Sequence, residues 1–262
     1  MRPNPLKALW AEGKPAFGTW CTLVNHPRFM KLLAACGLDF VILEMEHTDF
    51  TIRDVSTLAL MAREAGIAPI VRPPGVLSPH DLTRALDAGA QGLLLPNVTG
   101  PEVLERVIVA TKYHPRGERI LNLRGPHTDY LRLPDPAEQI ARINAGSVTV
   151  AMIETQRGLD ALPEICAVDG LDAVMIGPDD LSQDLGVPGL LADPKMQAAT
   201  ERVIAVCTEK GIPWGFSCQD MQSAEKWLAR GIRWMPFAND AAVLFNTFSG
   251  AASGLKKLAQ RA

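Results

Sequence analysis

Read for its hydrophobic and polar positions, the chain is a series of short apolar runs set between longer segments with helical spacing. The runs are AFGTWCTL (16–23), FVILE (40–44), APIVR (68–72), GLLLP (92–96), VTVAMIE (148–154), DAVMIG (172–177), IPWGF (212–216) and RWMPF (233–237). They are short, rich in β-branched and bulky residues, and apolar without strict alternation, which predicts strands buried on both faces. Between them the spacing and the helix-forming residues predict helices over 54–66, 78–89, 100–112, 193–211 and 221–231. Several of these end in the glycine expected just past a helix terminus, and those at Ser78 and Asp193 open with a capping residue followed by proline. The last segment, 239–260, reads as a long amphipathic helix that packs on its own barrel or on a neighbouring subunit.

Strand and helix in alternation mean right-handed parallel crossovers with helices outside the sheet. Eight strands is the number that closes a barrel, so the expected architecture is one (β/α)8 TIM barrel spanning 1–262. A doubly wound open sheet is the alternative, but its glycine fingerprint GxGxxG is missing. Composition changes this picture little: 262 residues, 47% hydrophobic and 21% charged, form a chain large enough for a full core. A net charge of −3 and a pI near 6.0 give no basic footprint, so no nucleic-acid partner is expected. The N-terminus lacks the apolar core of a signal peptide and no window reaches the ~18 apolar residues of a membrane span, which predicts a cytoplasmic protein with no membrane partner. The five cysteines are scattered without a CxxC spacing and read as reduced, mostly core residues.

The polar residues can be placed against this frame, because a barrel of this kind carries its chemistry where the strands end. FVILEMEH runs from a buried strand directly into Glu44, Glu46 and His47. Arg72 ends PIVR, Glu154 ends VTVAMIE, and MIGPDDLS passes through Gly177 and Pro178 into Asp179 and Asp180. Taken singly, each has a bland reading: a loop ion pair for a glutamate, a helix cap for Asp180, a structural role for His47. Four strands that deliver ionisable groups to one rim form a pattern no purely structural arrangement requires. Two carboxylates from different strands, Glu154 and Asp180, suit a hard divalent ion such as Mg, Mn or Co. An arginine beside the ion stabilises an oxyanion, and a histidine at the same rim moves a proton near neutral pH. Together they describe metal-assisted enolate chemistry. No lysine falls within a predicted strand, which disfavours an imine mechanism. Strands seven and eight lack glycine-rich phosphate turns, which favours a plain 2-oxo acid over a phosphorylated substrate.

These residues resemble the metal-dependent (class II) pyruvate aldolases of the HpcH/HpaI type, which include 4-hydroxy-2-oxoheptanedioate aldolase. The resemblance runs through ALWAEGKPAFGTW, GLDFVILEMEH, PIVRPP, LDAGAQGLLLPNV, ATKYHPRGER, MIETQRGL and GLDAVMIGPDDLSQDLG, in that order over nearly the whole chain. It implies a (β/α)8 barrel, a homohexamer built from dimers that exchange C-terminal helices, and cleavage of a 4-hydroxy-2-oxo acid to pyruvate and an aldehyde. By motif, Glu154 and Asp180 resemble the metal ligands and Arg72 the residue that stabilises the enolate. His47 resembles the acid/base on the aldol hydroxyl, and Asp87 matches the carboxylate that orients it. The turn from Gly177 to Asp180 would offer backbone N–H groups to the pyruvate carboxylate. Trp20 reads equally as a pocket wall and as a barrel-core aromatic. Oxaloacetate decarboxylation is the side activity the resemblance implies, and catabolism of aromatic compounds or sugar acids its setting.

Two departures bear on the site. Glu44 stands where the family usually has Asp, and Glu44 with Glu46 is expected to hold water beside the metal. The loop GERILNLRGPHTDY (117–130) also departs, so Arg119, Arg124 and His127 in it either meet an acceptor carboxylate or are simply solvated. The rival readings are a coenzyme A thioester lyase of related barrel type and a barrel that binds without catalysing.

Overall fold

The structure is a computed structural model and describes residues 2–261. All eight predicted runs become strands: β1 Ala16–Cys21, β2 Phe40–Glu44, β3 Ala68–Arg72, β4 Gly92–Leu95, β5 Val148–Ile153, β6 Ala173–Ile176, β7 Trp214–Phe216 and β8 Trp234–Asn239. They pair in parallel, each with its neighbour in sequence, and β8 returns to β1 to close the barrel. The helices are α1 Pro5–Ala11, α2 Arg28–Ala35, α3 Ile52–Ala65, α4 Pro79–Asp87, α5 Pro101–Thr111, α6 Pro136–Gly146, α7 Gln156–Asp160, α8 Leu162–Ile165, α9 Pro178–Asp184, α10 Pro194–Lys210, α11 Met221–Leu228 and α12 Asp240–Ala259. The caps read from sequence form: Ser78 accepts the N–H of Asp81, Asp193 that of Lys195, and α3 and α10 end in left-handed Gly66 and Gly211.

Strand parity divides the apolar residues into two cores. Phe40, Ile42, Ala68, Ile70, Val148, Val150, Met152, Ala173 and Met175 point into the barrel. Val41, Leu43, Val71, Ala151, Ile153, Val174 and Ile176 point outward against the helices. Each fully buried aliphatic side chain contributes about 1.5–3 kcal/mol. At the end where the strands begin, α1 lies across the barrel: Leu6 is buried, Leu9 and Trp10 pack on the interior cluster, and Asn4 donates to the carbonyls of Gln91 and Gly146. Just above this plug, Phe40 and Trp234 meet with ring centroids 5.2 Å apart. Gly18 makes room there, since a Cβ would lie 2.5 Å from the Phe40 ring.

With one end closed, the open end is where the strands finish. The period-two alternation that sends Phe40 and Ile42 inward sends Glu44 inward next. The same step carries Ile70 to Arg72, Met152 to Glu154, and Met175 to Gly177. The polar layer at the mouth is thus the continuation of the apolar layers below it. Among the described residues no helix is long and apolar enough to cross a membrane.

Candidate active site

Within this layer lies a cavity of about 690 Å³. Trp20, Glu44, His47, Arg72, Glu154, Gly177, Pro178, Asp179 and Asp180 all line it, so the fold brings together every predicted site residue except Glu46 and Asp87. Glu46 stands at its edge, ion-paired through Oε2 to Arg72 Nη2.

The β2–β3 register sets the charged pair at its centre by placing Glu44 opposite Arg72. Glu44 Oε2 meets Arg72 Nη1 at 3.3 Å, while its Oε1 accepts the backbone N–H of Glu46 at 2.7 Å and of His47 at 3.3 Å. Both oxygens are therefore occupied. The Glu44 side chain folds back to brace its own loop and Arg72 together, and it still lines the cavity. Arg72 Nη2 also lies 3.4 Å from His47 Nε2, and its guanidinium sits 5.7 Å from the centre of the Trp20 ring. Trp20 is a pocket wall, anchored by its indole N–H, which donates to Ser217 Oγ at 3.0 Å. The His47 side chain is 65% exposed, free to meet a substrate, with Glu46 Oε2 at 3.9 Å.

Across the cavity, Glu154 is buried. Its Oε1 accepts the N–H of Asn97 at 2.5 Å. Gly177 leaves it space, because a Cβ there would lie 2.7 Å from Oε2. Burial pushes the Glu154 carboxyl up to about 7, and the neighbouring Asp180 and Glu46 push the same way against the opposing pull of Asn97 and Arg72. A buried carboxylate crowded by other acids is one that a cation would relieve. No three histidine, cysteine or acidic side chains among the described residues cluster as a ready-made metal group. Glu154 and Asp180 nevertheless fit a hard divalent ion that takes its remaining oxygens from substrate and water.

The α9 turn offers fewer donors than its sequence promised. The Gly177 N–H is spent on the Ile153 carbonyl and Pro178 has none, so only Asp179 and Asp180, in the first turn of α9, keep N–H groups to give.

Asp87 is the predicted residue that the fold keeps away from the cavity of its own subunit. It closes α4, which descends from the rim to the plugged end of the barrel, and four residues later Gln91 donates to the carbonyl of Pro3 at the entrance to α1. Within one subunit Asp87 and His47 are at opposite ends of the strands. Asp87 instead pairs with Arg119, whose guanidinium lies 4.6 Å from the centre of the Tyr113 ring. His127 packs beside them and donates through Nε2 to the Asn122 carbonyl at 2.9 Å, with burial and then Arg119 holding its pKa low. Arg119 and His127 are thus a buried brace, neither solvated nor at the cavity of their own subunit, while Arg124 is exposed.

Residue reading missed Asn97, Ser217 and Asp240. Asn97 adopts φ 52°, and the Pro-Asn pair in LLLPNV is the signal that could have marked its turn. Asp240 accepts N–H groups from Thr22, Leu23 and Val24 at 2.8–3.0 Å, tying the loop after β1 to the start of α12 at the rim.

A closed parallel barrel whose open end holds an arginine, an exposed histidine and two carboxylates fit for a divalent ion defines a lyase-type site for carbon–carbon chemistry next to a carbonyl. Sequence comparison agrees: residues 17–247 match the profile described as HpcH/HpaI aldolase/citrate lyase, and the chain belongs to that family. It is 31% identical over 242 residues to the 4-hydroxy-2-oxo-heptane-1,7-dioate aldolase of Shigella sonnei, covering 92% of this chain and 90% of that one. It is 30% identical over 258 residues to the 5-keto-4-deoxy-D-glucarate aldolase of Klebsiella pneumoniae, covering 97% and 98%. Among solved structures, an HpcH/HpaI aldolase from Desulfitobacterium hafniense superposes with a TM-score of 0.91 at 30% identity, covering 96% of each chain.

Proposed function

We propose that this protein is a divalent-metal-dependent aldolase that cleaves 4-hydroxy-2-oxo acids to pyruvate and an aldehyde, and catalyses the reverse addition. The single observation that carries the reading is the meeting, at one barrel mouth, of Arg72 and His47 within 3.4 Å of each other, facing Glu154 and Asp180. Glu154 and Asp180 would hold the ion, Mg, Mn or Co, whose Lewis acidity polarises the 2-oxo group. The N–H groups of Asp179 and Asp180 receive the substrate carboxylate. Arg72 donates to the oxygen on which enolate charge develops. His47 takes the proton of the 4-hydroxyl, the C3–C4 bond breaks, its electron pair enters the enolate, and the aldehyde departs before C3 is reprotonated. Oxaloacetate decarboxylation passes through the same enolate and is the expected side reaction.

Asp87 can serve a histidine only across an interface, since its own His47 lies at the far end of the barrel. The apolar side chains of Val109 and Ile120 beside the groove that Asp87 lines are exposed, as a surface meeting a second copy requires. We therefore place Asp87 opposite the His47 of a neighbouring subunit in a homohexamer of dimers with exchanged α12 helices, in the cytoplasm.

The test is deuterium exchange into the pyruvate methyl group in heavy water, followed by NMR with added metal and with chelator. Exchange should require metal and fall at least about 100-fold in Arg72→Ala. Exchange that persists in that variant, or in chelator, removes the proposed site.

A further inference from the structure

We infer that the acceptor aldehyde of this site is short, neutral and hydroxylated, in contrast to a semialdehyde bearing its own carboxylate. The inference rests on the pyruvate-aldolase reading above and names the substrate class within it.

The cavity mouth has two unlike halves. The strands β2, β3, β5 and β6 carry the ionisable groups, so the pyruvate part of the substrate and all the charge lie on that side. The opposite arc, from β7 through β8 to β1, contributes Ser217, Gln219 and Asn239, which are uncharged and able to give and take hydrogen bonds. Ser217 Oγ already accepts from Trp20, which leaves its O–H to donate. Asn239 Oδ1 caps α12 by accepting the Ala242 N–H at 2.7 Å, which leaves its NH₂ to donate. Gln219 is exposed at the mouth.

Charge points the same way. Arg72 is the only arginine or lysine that one subunit lends to the cavity among the described residues, and in the proposed mechanism it serves the enolate oxygen, between Glu44 and Glu46. An aldehyde ending in a carboxylate would bring a further negative charge to a mouth that already presents Asp179, with no cation on the uncharged arc to receive it. Like charges set against each other cost binding, whereas hydroxyl groups find partners in Ser217, Gln219 and Asn239, between the apolar Phe216, Ala238 and Ala241.

The experiment uses the full-length protein loaded with Mg or Mn. Metal-dependent exchange of the pyruvate methyl group is recorded first, so that enolate formation is judged separately from acceptor choice. Aldol addition is then compared with D-glyceraldehyde and with succinic semialdehyde at saturating pyruvate. The expected kcat/KM ratio favours glyceraldehyde by at least about tenfold. Gln219→Arg adds the missing cation at an exposed position and should move that ratio toward succinic semialdehyde by about tenfold. Exchange together with a preference for succinic semialdehyde in the unmodified protein overturns the inference and leaves the aldolase reading standing. A ratio that does not move in either Gln219→Arg or Asn239→Arg overturns the placing of the acceptor on this arc. Absence of exchange with any divalent metal overturns the aldolase reading itself, and this inference with it.

Discussion

Glu44 ends a buried strand and splits its two oxygens between the loop that carries His47 and the guanidinium of Arg72. In the proposed mechanism it is a positioning residue for both reacting groups. Glu44→Gln keeps the length but leaves one acceptor oxygen and no charge, so the side chain can hold the loop or the arginine and not both. The expected result is near-normal thermal unfolding with retro-aldol kcat down about 100-fold, the effect of a misplacement on the order of 1 Å. A kcat within twofold of the unmodified protein would show that the double brace is dispensable. That an acid stood at this strand end was legible in sequence, but its duty was not, because which way a carboxylate folds depends on the register that puts Glu44 beside Arg72. Glu154 was legible as a ligand candidate, while its proton affinity was not, since that comes from burial. With its folded pKa raised from 4.5 to about 7, the carboxyl of the folded protein holds a proton that the unfolded chain has released across that window. Metal-free protein therefore loses stability as pH rises from the ordinary carboxyl range to about 7, by roughly 3 kcal/mol. If Glu154 holds the proposed ion, binding expels that proton. Calorimetry in buffers of differing ionisation enthalpy should find about one proton released at pH 6 and almost none at pH 8. Equal release at both values would place the metal elsewhere.

Strands were easier to read than helices for a reason visible in α6. Its buried residues are Gln139, Ile143 and Asn144, so its inner face is mostly amide and no apolar period marks it. Gln139 donates to the carbonyls of Leu123 and Leu131, and Asn144 both accepts from and donates to the backbone of Tyr113, which fastens the 117–130 loop by hydrogen bonds in place of apolar contacts. The seven-residue α1 is too short to display a repeat. The strands, apolar on both faces, needed no such pattern. Asp240 works at this scale as well, joining the loop after β1 to the first residues of α12. Burial alone would raise its carboxyl, but the N–H groups of Val24, Thr22 and Leu23 and the Thr22 hydroxyl outweigh burial and hold it below its usual value. Its contribution to stability is thus complete above the ordinary carboxylate range and is lost as pH falls through the lower folded value. Asp240→Ala strands those donors and should cost roughly 2–4 kcal/mol in urea unfolding at pH 7, with the deficit shrinking in acid. A loss of the same size at pH 7 and at low pH would mean that packing, and not the carboxylate, holds the loop.

For the whole molecule, the sequence pattern carried the barrel and the end at which its chemistry sits, because alternation along each strand fixes both. Strand alternation carries no information on the proposed assembly. Beyond Asp240, α12 has no buried residue in the single chain, and Phe245 and Phe248 are 71% and 68% exposed. A 20-residue helix with this much uncovered apolar surface calls for a second copy to cover it. Phe245→Glu with Phe248→Glu should shift the protein to smaller species in multi-angle light scattering, and an unmodified protein that is already monomeric would refute the exchanged-helix assembly. The placing of Asp87 makes a sharper demand on the same assembly. If Asp87 serves the histidine of another copy, then His47→Ala and Asp87→Asn subunits, each poor in retro-aldol turnover, complement one another when unfolded together and refolded as mixtures. A mixed interface unites an intact His47 from one subunit with an intact Asp87 from the other, so activity should recover to a substantial fraction of normal. Pairing inside one subunit predicts no recovery at any mixing ratio, because no subunit in the mixture carries both residues. The opposite-end positions of the two side chains in the barrel favour recovery, and its absence in well-assembled mixtures would confine Asp87 to the brace it forms with Arg119.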